Sequence, residues 1–217
     1  MHARLLIFLK RLIDLSCSLS RLHHHIRLNE QAHLDIEWWS TFLPSWNRTS
    51  YILETEWSTS TSMSLYTDAS SSMGWGAYWS GRWIQAHWSS DEAERNIVWK
   101  ELFAIAAAVN TWGHLWACKK VLFHCDNQAV VDIWKTGTTK SSDIMVLAHM
   151  LYFCAAQYNI HVIITHIARV NNAIADVLSH FQVTRFRQLS PHAAPLPDII
   201  PVWPAQLFRD SSAITNP

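Results

Sequence analysis

Four carboxylates sit where the surrounding sequence calls for burial, and few folds can accommodate that. Asp68 ends the extended run MSLYTD, and Glu101 lies inside the nearly all-apolar helical stretch IVWKELFAIAAAVNTW. Asp126 closes a second hydrophobic run in VLFHCDN. Asp176 lies in THIARVNNAIADVLSH, ten residues after His166 and four after Asn172. Two like unit charges about 4 Å apart repel by roughly 4 kcal/mol at an effective dielectric of 20. Elements that converge four such groups require cations to neutralise them, and hard oxygen ligands favour Mg²⁺ or Mn²⁺.

The pattern around these residues defines the fold class. Residues 64–89 alternate, are rich in aromatics and contain a Ser80-Gly81 turn, which predicts three antiparallel strands. Ser89-Ser90-Asp91-Glu92 has the form of a capping box, and a long helix is expected from there to about Trp112. A buried parallel strand follows over 121–125 and a short helix over 127–134. A helix over 142–158, a strand over 161–166 and a final helix over 172–180 complete the run. Strands followed by alternating helices and strands make an α/β fold: a mixed sheet of three antiparallel and then two parallel strands, flanked by helices. Active sites in such sheets gather at strand ends.

The two ends of the chain read differently. Residues 1–61 are expected to be helical, with Asn29 capping a helix to about Phe42 and Pro44 stopping it. The Ser/Thr-rich residues 54–62 read as a linker. Pro44 is the only proline before Pro191, and the others cluster after it, so residues 181–217 read as a tail without regular structure. The central domain is then 62–180.

Composition removes several functions. The chain has 217 residues and 17 basic against 17 acidic ones, so no global field draws it to nucleic acid and any such affinity is local or borrowed. Thirteen tryptophans are read mainly as core. Cys17, Cys118, Cys125 and Cys154 show no metal-finger spacing, which fits a reduced, intracellular protein, cytoplasmic or nuclear rather than secreted. No apolar run approaches a bilayer span, so no membrane partner is expected. Three consecutive histidines, His23, His24 and His25, do not converge on one ion in regular structure. Asp132, Asp143, Glu92 and Glu94 read as solvated.

Strand-Asp68, helix-Glu101, strand-Asp126 and then His166-x5-Asn172-x3-Asp176 resembles type 1 ribonuclease H over residues 62–180. The form most similar is the domain that follows reverse transcriptase in retroelements, since NNAIADVLSH is similar to their last motif. The stretches RLIDLS, HHHIRLN and DIEWWSTFLPSWN resemble the end of the polymerase in DIRS-type retroelements, which makes residues 1–61 a remnant of that region. The resemblance implies a ribonuclease H-like fold and an endonuclease that cuts the RNA strand of RNA–DNA hybrids with two Mg²⁺ or Mn²⁺ ions. It places one ion on Asp68 and Asp176 and the other on Asp68, Glu101 and Asp126. His166 would assist proton transfer or product release. Gln128 would touch the hybrid, Asn96 would stand in for a polar pair that is Ile97 and Val98 here, and Asn172 would contact substrate or order its loop. The missing polymerase portion is the expected protein partner.

The chain departs from the family's pattern in two places: Asp68-Ala69-Ser70 replaces Asp-Gly-Ser, and only KTGTTKSS stands where some members carry a basic substrate grip. Two other readings remain: a non-catalytic scaffold left from a degraded element, and an integrase- or transposase-type nuclease of the same superfold.

Overall fold

A computed structural model describes residues 12–13, 15–18, 25–45, 57–59, 63 and 65–203. Helix α1 spans Glu30–Ser45, opened by Asn29, whose side-chain oxygen accepts from the Ala32 N–H at 2.8 Å. Pro44 falls in its last turn rather than beyond its end. Ala32 and Asp35 are buried, and Asp35 faces His149 at 4.0 Å. The rest of the expected polymerase-like segment and the amphipathic start lie largely outside the described residues.

The sheet strands are β1 (Trp57–Thr59), β2 (Leu65–Ala69), β3 (Gly74–Trp79), β4 (Arg82–His87), β5 (Lys120–Cys125) and β6 (His161–His166). Strands β2, β3 and β4 form an antiparallel meander, and β5 and β6 pair in parallel. This is the expected order of three antiparallel and then two parallel strands. The β3–β4 turn uses Ser80 at φ 47° and Gly81 at φ 87°, the two left-handed residues that match the strand twist. Strand β1 is an addition. It pairs in parallel with the first half of β5, Trp57 opposite Lys120, inside the stretch expected to be a linker. The strands hydrogen-bond as two three-stranded sheets, β2–β3–β4 and β1–β5–β6, which meet where β2 lies beside β5.

The helices are α2 (Ser90–Ala93), α3 (Ile97–Trp112), α4 (Gln128–Thr136), α5 (Ser142–Gln157), α6 (Ala173–Ser179) and α7 (Val183–Leu189). The capping box predicts one long helix, but it closes only α2. Ser89 and Glu92 satisfy each other's ends there, and Asn96 then caps a fresh start for α3 by accepting from Trp99 N–H at 2.9 Å. Glu92 is consequently buried rather than solvated.

Alternation in β2 and β3 divides the core between the two faces of the meander. Leu65, Trp75 and Ala77 pack under α3 and α5 with Trp99, Phe103 and Leu147. Ala104, Ala106, Ala107 and Ala108 of α3 are fully buried, which lets its neighbours approach closely. The opposite face carries Tyr66, Tyr78 and Trp83 against Val177, Leu178 and Phe186. Gly76 lies opposite Asp68 in the register, and a Cβ there would stand 2.4 Å from the Leu178 Cβ. Its missing side chain allows α6 to lie directly on the sheet at the level of Asp68.

Residues 183–203 do not form the unstructured tail that their prolines suggest. Helix α7 buries Phe186 against Tyr78 and Trp83, with ring centroids 6.0 and 5.3 Å away. The chain then straps across β4: Ala194 N–H donates to Gly81 O at 2.7 Å and Asp198 N–H to Trp83 O at 2.8 Å. Asp198 accepts from both Arg82 and Trp112, and Trp203 is buried beside Phe103. Prolines forbid a continuous ladder, but they leave carbonyls and side chains able to anchor a segment point by point.

Candidate active site

Asp68 shares the Tyr66 face of β2, as alternation requires, and points toward α6. It is buried, with 3% of its surface exposed, and its carboxylate accepts from Ser179 Oγ at 2.6 Å and Asn172 Nδ2 at 3.4 Å. Burial, first of all, and then the charges of Asp126 and Asp176 raise its pKa to about 6, against the pull of the Ser179 hydroxyl. Glu101 comes from the buried stripe of α3. Burial and the charges of Asp68 and Asp126 raise its pKa to about 9, although the Ala69 N–H donates to it. Ala69 has no positive φ, so the alanine in place of a glycine fits β2 without strain. The next residue secures the loop: Ser70 Oγ accepts from Met73 N–H and Gly74 N–H at 2.9 and 2.8 Å.

Asp126 leaves the end of β5 half-buried. A strand-end aspartate before a helix could be consumed as a cap, but that task falls to Asn127, whose side chain accepts from Ala129 N–H at 3.0 Å. Asp176 lies in the first turn of α6 with its side chain 29% exposed. The Arg169 guanidinium donates to it at 3.1 Å.

The four carboxylates therefore meet, with Asp68 at the centre. Among the described residues, one ligand atom from each of Asp68, Asp176 and His180 lies within 4.8 Å of the others. Glu101, Cys125 and Asp126 form a second such group. The Cys125 thiol is buried and pushed well above its usual range, so it stays protonated and leaves that group to its carboxylates. Oxygen donors dominate both groups, and burial together with neighbouring like charges raises the pKa values of Asp68 and Glu101. Such a donor set fits hard divalent cations.

The remaining expected site residues fall in three places. His166 ends β6 opposite Cys125, one residue from Asp126 along the sheet, with an exposed ring that makes no hydrogen bond among the described residues. Gln128 opens α4, and its amide donates to Asp132 at 2.8 Å on the exposed surface, so Asp132 is a partner rather than merely solvated. Asn96 is held at the start of α3 by its capping bond, beside an exposed Ile97. Asn172 lies inside the fold, just ahead of α6. It is buried, and its amide donates to Thr67 O at 2.8 Å, so it anchors the loop before α6 to the strand that carries Asp68.

Other residues at the site are not apparent from the sequence. Ser179, fully buried, orients Asp68. Lys100 is buried, and its ammonium donates to Ser71 O and Ala93 O, tying the loop after β2 to the end of α2. Both make contacts far away in sequence, which local periodicity does not reveal.

Solved ribonuclease H domains resemble the chain at low identity. One is the N-terminal RNase H domain of a Mycobacterium tuberculosis protein solved as a fusion with maltose-binding protein. It is 17% identical, with 58% of this chain and 96% of that one covered and a TM-score of 0.40. RNase H1 from Halobacterium salinarum is 16% identical, with 52% and 84% covered and a TM-score of 0.39. Neither a protein-family model nor a curated protein sequence matches the chain. At these values the functional reading rests on this chain's own strand order and carboxylates. No helix among the described residues is long and apolar enough to cross a membrane.

Proposed function

We propose that this chain is a metal-dependent endonuclease that cleaves the RNA strand of RNA–DNA hybrids. The observation that carries the reading is the division of the carboxylates into two adjoining groups, Asp68 with Asp176 and Glu101 with Asp126, with the charge of Asp68 coupled to both members of the second. Asp68 and Asp176 would hold one cation, and Asp68, Glu101 and Asp126 the other. Divalent ions in such a pair supply an activated water and stabilise the leaving oxygen. The chain's own residues set the geometry. Ser179 and Asn172 fix the Asp68 carboxylate, and the Ala69 N–H holds Glu101 toward it. His166, exposed at the end of β6, would move a proton at the mouth of the site. Gln128 and Asn96 would border the hybrid from α4 and α3, and selection for RNA would rest on 2′-hydroxyl contacts.

A retroelement origin, with α1 belonging to a polymerase-like region and a polymerase as the partner, is part of the same proposal. The phrase DIEWWSTFLPSWN, of which Asp35 to Ser45 lie on α1, supports it. The test is cleavage of a hybrid labelled on its RNA strand, with Mn²⁺ and with EDTA. Cleavage that requires Mn²⁺ and spares the DNA strand is the expected result. Cleavage that persists in EDTA, or none under either condition, would remove the proposal.

A further inference from the structure

Arg169 is the one basic side chain that the described structure hydrogen-bonds to a carboxylate of this site. It stands on the short turn Arg169–Asn171 between β6 and α6. That turn is fixed from beneath, because the next residue, Asn172, is buried with its amide on Thr67 O. The guanidinium itself is not buried. Its side chain is 70% exposed while Nη2 donates to Asp176 Oδ1 at 3.1 Å. Its charge also couples to those of Asp68, Glu101 and Asp126, so it stands within reach of the whole cluster. A rigid base, a solvent-facing fork and a carboxylate claimed by a cation in the working site are the elements of an exchangeable contact.

We propose that Arg169 is a phosphate-binding latch: it holds Asp176 when the site lacks a divalent cation and turns to a backbone phosphate of the hybrid when a cation takes that carboxylate. The proposal rests on the nuclease reading and adds a residue to it. The physics is competition for one anion. A divalent ion on Asp176 outcompetes a solvent-exposed guanidinium and repels it, and a planar five-donor fork next finds its best partner in a phosphate. Between α4 and α5 the only basic residue is Lys140, whereas Arg169 is a positive charge at the site itself.

The test uses the full chain and two variants, Arg169→Ala and Arg169→Lys. Calorimetric titration with Mn²⁺ in the absence of nucleic acid reads the competition, and hybrid binding across a KCl series at constant Ca²⁺ reads the phosphate contact. Arg169→Ala is expected to bind Mn²⁺ several-fold more tightly than the parent. It should also bind hybrid more weakly, with the logarithmic salt slope smaller by about 0.7–0.9 for the one phosphate it no longer neutralises. Arg169→Lys should keep the parent slope, because it keeps the charge. An unchanged slope in Arg169→Ala, or an Mn²⁺ affinity equal to or weaker than the parent's, overturns the latch while leaving the nuclease reading in place. A parent chain that binds neither Mn²⁺ nor hybrid overturns the nuclease reading and the latch together.

Discussion

Two sets of carboxylates among the described residues, half-buried Asp198 on the one hand and buried Asp68 and Glu101 on the other, are treated in opposite ways. At the C-terminal strap, burial works against the charge of Asp198, but hydrogen bonds from Arg82 and Trp112 outweigh it and hold its pKa below the ordinary value. At the end of β2, burial again dominates, and the neighbours of Asp68 and Glu101 are other carboxylates, so both pKa values rise. The strap carboxylate is complete within the chain. At the site, the chain's own donors do not offset burial and like charge. That contrast separates a structural charge from a functional one more firmly than burial alone.

Changes at the two places should therefore separate activity from stability. Asp126→Asn is expected to have the largest effect: cleavage of the hybrid falls by orders of magnitude, while Tm in EDTA holds or rises because a repulsion has been removed. Near-normal cleavage would take Asp126 out of the site, and a large fall in Tm would make it a structural residue like Asp198. His166→Ala should cost turnover less, by roughly 10²–10⁴-fold as for other proton-transfer groups, with Mn²⁺ affinity unchanged. A loss as deep as that of Asp68→Asn would give the histidine a part in holding the cations.

Phe186→Ala should do the reverse. Removing a fully buried phenylalanine typically costs about 3–5 kcal/mol of stability, read by denaturant unfolding. Turnover by the fraction still folded should stay near that of the parent. Unfolding that is insensitive to Phe186 would show that residues 183–203 lie on the domain without holding it.

Much of the site is legible in the sequence because its signals are local. A carboxylate at a strand end or within an apolar helix stripe is visible in a dozen residues, and the spacing from His166 to Asp176 spans a single connection. The order of strands is legible for the same reason, through alternation in β2 to β4 and the Ser80-Gly81 turn. What supports the site is not. Asn172 binds Thr67 O and Ser179 binds Asp68 across more than a hundred residues, and polar residues on a short helix carry no mark of such distant partners. The strap escapes a sequence reading because point-by-point anchoring by Asp198, Ala194 and Trp203 has no period. Lys100 is not legible either, because its partners are carbonyls on other segments.

The central claim, that Asp68 and Glu101 are held for a cation the chain does not supply, has a direct test in thermal melting across pH. In the metal-free fold both groups keep a proton at pH values where the unfolded chain has lost it. Stability must then fall as pH rises, beginning near the ordinary carboxylate range of about 4 and continuing to about 9, where Glu101 ionises. Melting in EDTA from pH 5 to 9 should show a falling Tm, and saturating Mg²⁺ over the same range should restore it, with the gain growing toward high pH. A Tm in EDTA that is flat or rises with pH, together with no Mg²⁺ effect, would contradict the account.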